Sequence, residues 1–206
     1  MRIAVVVALS GALALAACGG SNSKVTTSST TVAGSTTSAS VSTTTVELPT
    51  TSLPCQPLAT PTGPVTSPVP TQQASLLTNV QILGDACVDH VVFDYTAKGS
   101  DLPGYTVSYA SPPFTSDASG APVPVAGSAF VRVKVQPGYG YDFETGKTTY
   151  TGPKSIPITH ANYVKAIVET GDFEGVLTWV IGLDSKRPFS VQATGTPRHQ
   201  LVVTIG

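Results

Sequence analysis

The sequence predicts an all-β fold, a single antiparallel β-sandwich. Two observations carry that expectation. Short segments of alternating apolar and polar residues recur from Leu76 to the C-terminus, and the stretches between them hold glycine and proline. No segment shows a convincing amphipathic helical period, which points away from the helix-containing classes.

Taken in order, the chain opens with an element outside that fold. Met1 to Cys18 reads MRIAVVVALSGALALAAC, with one Arg near the start, an apolar run from Ile3 to Leu15 and small residues before a break. That pattern is a secretory signal peptide over residues 1–17, too short to span a bilayer permanently. Cys18, directly after Leu15-Ala16-Ala17, makes it a lipoprotein signal whose motif resembles the bacterial lipobox. In that motif the cysteine thiol receives a diacylglyceryl group and becomes the mature N-terminus. Two acyl chains anchor a protein stably, at about 0.8 kcal/mol per buried methylene. The expectation is a chain lipid-anchored to the outer, extracytoplasmic leaflet of the plasma membrane. The alternative is an ordinary cleaved signal that contains a cysteine.

Residues 18–72 are expected to form the lipidated N-terminus and a disordered linker. From Ser21 to Thr71, Ser, Thr and Pro dominate, Glu47 is the only charge beyond Lys24, and no aromatic residue occurs. Such a composition cannot bury enough apolar surface to offset the entropy of ordering. About fifty residues of random chain span roughly 40 Å, enough to lift a domain off a membrane. Three cysteines are odd for an exported protein, but setting Cys18 aside leaves Cys55 and Cys87 as a candidate disulfide in an oxidising compartment. Two unpaired thiols, or a metal pair lacking its other ligands, are the alternatives. No metal is expected, because CxxC and HExxH are absent and His90, His160 and His199 lie far apart in sequence.

The domain runs over residues 73–206, a single-domain length. Leu76 to Leu83 is the first strand and ends at a Gly84-Asp85 turn. In His90 to Thr96, Val91, Phe93 and Tyr95 point one way and Val92, Asp94 and Thr96 the other. Tyr105 to Tyr109 alternates as well, after a Ser100 to Gly104 turn. Ala129 to Gln136 sets Ala129, Val131, Val133 and Val135 against Phe130, Arg132, Lys134 and Gln136, the pattern of a half-buried strand. Tyr163 to Glu169 reads as a strand on its β-branched content and its abrupt end at Thr170-Gly171, although a short helix fits the same residues. Val176 to Leu183 is apolar on both faces and is expected to be central, with Trp179 in the core. Phe189 to Ala193 and Leu201 to Ile205 finish the sandwich.

Candidate chemistry is sparse. The chain has no GxSxG elbow, Walker loop or Rossmann glycine fingerprint, so no catalytic residue and no cofactor are assigned. Lys plus Arg total 11 against 12 Asp plus Glu, and no basic patch is interleaved with aromatics, which argues against nucleic acid. Asp172 and Glu174 lie between Gly171 and Gly175. If extended, they share one side while Phe173 points inward. The glycines favour a hairpin turn with solvated acids over an acid pair that meets a ligand. Tyr139 and Tyr141, in the Tyr- and Gly-rich stretch from Pro137 to Pro153, are either recognition groups or the tip of a long hairpin. Asp172, Glu174, Tyr139 and Tyr141 are the candidate ligand-binding residues.

Asp89-His90-Val91-Val92-Phe93-Asp94-Tyr95, Pro103-Gly104-Tyr105-Thr106-Val107-Ser108-Tyr109, Gly171-Asp172-Phe173-Glu174-Gly175 and Pro197-Arg198 with Leu201-Val202-Val203 form an ordered set of motifs. In order and spacing they resemble the AMIN-like domain lipoproteins of actinobacteria, from about Leu76 to the end. The resemblance implies a compact β-sandwich related to the AMIN domain. That module is similar in role to the targeting domains of cell-wall amidases and pilus secretins, which bind peptidoglycan or localise their host to the envelope. It implies no catalytic residues. His90 stands where the family often has an arginine, Thr204 where an acid often follows the Val-Val pair, and His199-Gln200 extends the loop after Pro-Arg. The expected function is a membrane-anchored, envelope-facing, non-catalytic module that binds peptidoglycan or another cell-wall polymer. The alternative is a protein-interaction lipoprotein that positions a cell-wall enzyme or secretion component.

Overall fold

A computed structural model describes residues 55–56, 58–61, 63–67, 74–96 and 104–206. The signal peptide, Cys18, most of the linker and the 100–103 part of the expected turn lie outside the described residues. The described chain is all-β. Its strands are β1 (Val65–Thr66), β2 (Ser75–Gly84), β3 (Asp89–Thr96), β4 (Tyr105–Ala110), β5 (Ala129–Val135), β6 (Gly138–Tyr139), β7 (Tyr141–Asp142), β8 (Lys147–Thr148), β9 (Val164–Phe173), β10 (Val176–Leu183), β11 (Phe189–Thr194) and β12 (His199–Ile205). One sheet has the order β1-β4-β5-β10-β9, the other β11-β12-β3-β2-β6, and β7 pairs with β8 alone. Every pairing is antiparallel except β2 with β6.

The period-two pattern builds the core directly. Leu177, Trp179 and Ile181 sit opposite Val135, Val133 and Val131, and Phe93 and Val91 opposite Leu201 and Val203. All of these are buried. Phe93 and Trp179 meet edge to face across the two sheets at 6.0 Å, and Tyr109 and Phe189 do so at 5.2 Å. β10 is apolar on both faces because its second face is also covered, by the 111–128 segment. Thr178 is buried there and donates to Asp117 Oδ2 at 2.9 Å. Gly182 is required beneath that segment, since a Cβ would overlap the Ala126 carbonyl oxygen.

Two expectations change. β1 lies inside the stretch read as linker. Val65 and Thr66 pair with Val107 and Thr106 as an edge strand, a match too short to show as a pattern. β9 does not stop at Thr170-Gly171 but continues to Phe173. The register with β10 passes from Trp179 opposite Glu169 to Thr178 opposite Gly171, leaving Thr170 as the extra residue of a β-bulge.

The corner after β2 is built on carboxylates. Asp85 Oδ1 accepts the Cys87 and Val88 amides at 2.7 and 2.9 Å, and these bonds hold its carboxyl below the usual carboxylate range. Cys87 is bonded to Cys55, with S–S 2.02 Å and Cα atoms 5.3 Å apart. Closing a loop of 32 residues contributes roughly 3 to 4 kcal/mol in the chain-entropy account. Asp89 is fully buried. Its Oδ1 accepts Asn162 N at 2.8 Å and Asn162 Nδ2 at 3.2 Å, and its Oδ2 accepts Tyr163 N at 2.7 Å and Val164 N at 2.9 Å.

Removing the Asp89 carboxylate strands those donors in the interior. Asp89→Ala is therefore expected to lower the unfolding free energy by about 3 kcal/mol or more, read as a shift in urea midpoint. An acid transition gives a second check. Asp184 accepts both Arg187 Nε (3.0 Å) and Nη2 (2.9 Å). Those bonds, helped by Ser185, pull its pKa from 3.8 to about 2. Because the folded value is the lower one, the stabilisation is complete above the unfolded pKa and is lost as pH falls from there through about 2. Asp184→Asn should flatten that part of the stability profile and leave the profile above pH 5 unchanged in shape.

Candidate functional site

The four sequence-predicted residues Tyr139, Tyr141, Asp172 and Glu174 converge on one notch at the end of the sandwich, together with Phe143, Phe173 and Gly175. Its volume is about 440 Å³.

One wall is the β9–β10 hairpin. Phe173 pairs with Val176, so Glu174 and Gly175 are the two turn residues, with φ of 51° and 78°. Positive φ at both positions is the two-residue turn that suits the twist of paired strands, and glycine takes it without strain. Gly175 has a second reason. A Cβ there would stand 2.7 Å from the Tyr139 hydroxyl oxygen.

The other wall is the stretch from Gly138 to Thr148. Gly138 and Tyr139 run parallel to Ser75 and Leu76 of β2, and Gly138 N donates to the Gly175 carbonyl at 3.0 Å. Gly140 N donates to Asp172 Oδ2 at 2.8 Å, while the Gly140 carbonyl accepts Thr149 N and Tyr150 N at 2.9 and 3.1 Å. The β7–β8 tip is closed by Asp142. Its Oδ1 takes the Glu144 amide at 2.9 Å and its Oδ2 the Thr145 hydroxyl at 2.8 Å. This holds Phe143 at the tip, 71% exposed, with its ring edge to face with Tyr139 at 5.0 Å and with Tyr141 at 5.2 Å.

The expected orientation of the acids is overturned. Phe173 does not point inward; it is 47% exposed. The bulge at Thr170 reverses the alternation, so Asp172 comes opposite Leu177 and turns toward Gly140, while Phe173 takes the outer side. Asp172 is therefore a fixed acceptor in the notch wall, and Glu174 stands on the turn with no hydrogen bond or ion pair among the described residues.

A second concavity of about 470 Å³ lies on the outer face of the other sheet, beside Asp94 and Arg198. Asp94 there takes Gln200 Nε2 at 2.6 Å, Asn79 Nδ2 at 3.0 Å and Gln81 Nε2 at 3.4 Å, which commits its acceptors internally. Among the described residues no three His, Cys, Asp or Glu side chains come together to hold a metal ion. Sequence reasoning missed Phe143 and Phe173. The signal for Phe143 was available in Asp142-Phe143-Glu144-Thr145-Gly146, a turn sequence with an apolar residue at its tip.

Fold and notch define a β-sandwich module that presents aromatic and acidic groups at the open end of its strands. A family model of the AMIN-like domain matches residues 75–206, and the chain belongs to that family. Comparison with curated proteins and with solved structures finds no match.

Gly175→Ala should open the notch from its floor. It introduces strain at φ 78° and displaces the Tyr139 ring, with an expected loss of about 1 to 2 kcal/mol in stability. A changed near-ultraviolet tyrosine signal alongside the lower melting temperature is the check.

Proposed function

We propose that the protein is a membrane-anchored, envelope-facing module that binds peptidoglycan or another cell-wall polymer and does no chemistry of its own. Membership of the AMIN-like family over residues 75–206 supports the envelope role. The Met1 to Cys18 signal supports a diacylglyceryl anchor at Cys18, and with it the outer leaflet of the plasma membrane. The observation that carries binding is the notch. Of the four large apolar side chains left exposed among the described residues, Tyr141, Phe143 and Phe173 line it. Exposed aromatics grouped beside carboxylates are a recognition surface rather than a packing remnant.

A second reading, a protein-interaction lipoprotein that positions a wall enzyme or secretion component, is favoured by one observation. β11 is the outermost strand of its sheet, and Ser190 and Gln192 on it are exposed, which leaves an edge for strand addition.

Co-sedimentation of the full chain with purified sacculi tests the first reading. Retention is expected, and it should fall several-fold in Phe143→Ala/Phe173→Ala. No retention above a variant with a scrambled 137–153 segment would sink it. Proximity labelling that returns one reproducible envelope protein while sacculi fail to bind would establish the second.

A further inference from the structure

We propose that the notch binds an alkylammonium group. On the wall-binding reading above, on which this part rests, that group is the side-chain amine of a diamino acid in the wall peptide.

The ring geometry selects the ligand class. Phe143 stands at 81° to Tyr139 and at 73° to Tyr141. A sugar ring stacks on one broad flat face, and a phenylalanine set nearly at right angles to both tyrosines interrupts any such platform. The rings form a corner, and a corner of aromatic faces suits a compact cation, because each face carries the negative side of the ring quadrupole.

The charges agree with the rings. The carboxylic acids that line the notch are Asp172 and Glu174, and no Lys, Arg or His among the described residues lines it. Asp172 uses Oδ2 to hold Gly140 N, and Glu174 is uncommitted among the described residues. A primary ammonium brings three donors and one positive charge to such acceptors. Phe173, exposed beside the turn, gives the methylenes of an alkyl chain an apolar wall. A single sugar hydroxyl uses neither the charge nor the corner.

The probe is Nα-acetyl-lysine amide, with its Nε-acetylated form as control, titrated into the full chain carrying labelled Phe and Tyr. Shifts confined to Phe143, Phe173, Tyr139 and Tyr141 with the amine alone support the proposal. Equal shifts with both compounds, or none with either, overturn it. Glu174→Gln and Phe143→Ala change exposed side chains, so melting temperatures should stay at the wild-type value while affinity weakens roughly fivefold to tenfold. Unchanged affinity in both variants overturns the site.

Sacculi with native and with N-acetylated amines separate the two readings. Retention lost on acetylation supports the amine. Retention kept on acetylated sacculi overturns the amine and leaves wall binding standing. Absence of retention on both removes the wall reading, and the lysine-amide titration then decides the notch on its own.

Discussion

The buried carboxylate of Asp89 is the contact on which the arrangement of the two sheets depends. A charge taken fully out of water is costly unless hydrogen-bonded donors replace its hydration shell. Asp89 has four such bonds, and all come from Asn162, Tyr163 and Val164 at the entrance to β9. Asp89 itself begins β3, in the opposite sheet. One residue thus sets where the central strand of one sheet starts relative to the edge strand of the other. His90, next to it, faces Thr204 across the β3–β12 pair, with Nδ1 and Oγ1 2.9 Å apart. Two of the three places that depart from the family resemblance are therefore neighbours, joined by one side-chain hydrogen bond across the strand pair.

The notch depends on a second constraint, the extra residue Thr170. Without it, the alternation from Ile167 through Glu169 would carry Gly171 and Phe173 inward and leave Asp172 outside. With it, Asp172 reaches Gly140 and Phe173 reaches solvent. Gly171 is needed just after the bulge because a Cβ there would overlap the Asp117 carboxyl, which is itself held by Thr178. The Gly-Asp-Phe-Glu-Gly motif is thus a turn, as the glycines indicate, and also the source of two notch groups. Those two roles are compatible because Asp172 reaches across to the Gly140 amide in the notch wall while Phe173 stands at its solvent-facing rim.

What sequence reveals and what it hides follow from the range of the forces involved. Val91, Phe93, Tyr95 and Val131, Val133, Val135 announce their strands because burial of one face imposes a local period of two. Trp179 reads as core because its strand is apolar on both faces, and it is buried. The four candidate residues stand out by local composition, and the structure places them around one notch. The bulge, by contrast, is a relation between β9 and β10, and nothing within Val164 to Phe173 states it. β1 and β6 are two residues each, held by partners distant in sequence. The 111–128 segment covers a sheet face with scattered contacts from Phe114, Asp117 and Ala126, which leave no periodic trace.

The Cys55–Cys87 bond also determines how the domain takes up tension. Cys87 lies beyond Gly84 at one end of β2, and Gly138 and Tyr139 pair with Ser75 and Leu76 at its other end. Ten residues of extended chain separate those ends by roughly 30 Å. A pull on the chain upstream of Cys55 crosses the sulfur bridge into the β2–β3 turn, so the loop between the cysteines, β1 included, bears none of it. The load then enters β2 and β3 together at their shared turn and runs lengthwise along both, so the ladder from β3 to β12 resists in shear with many bonds at once instead of unzipping one by one. The aromatic notch and the sulfur bridge thus stand at opposite ends of one strand, and traction through the bridge would turn the aromatic end away from it.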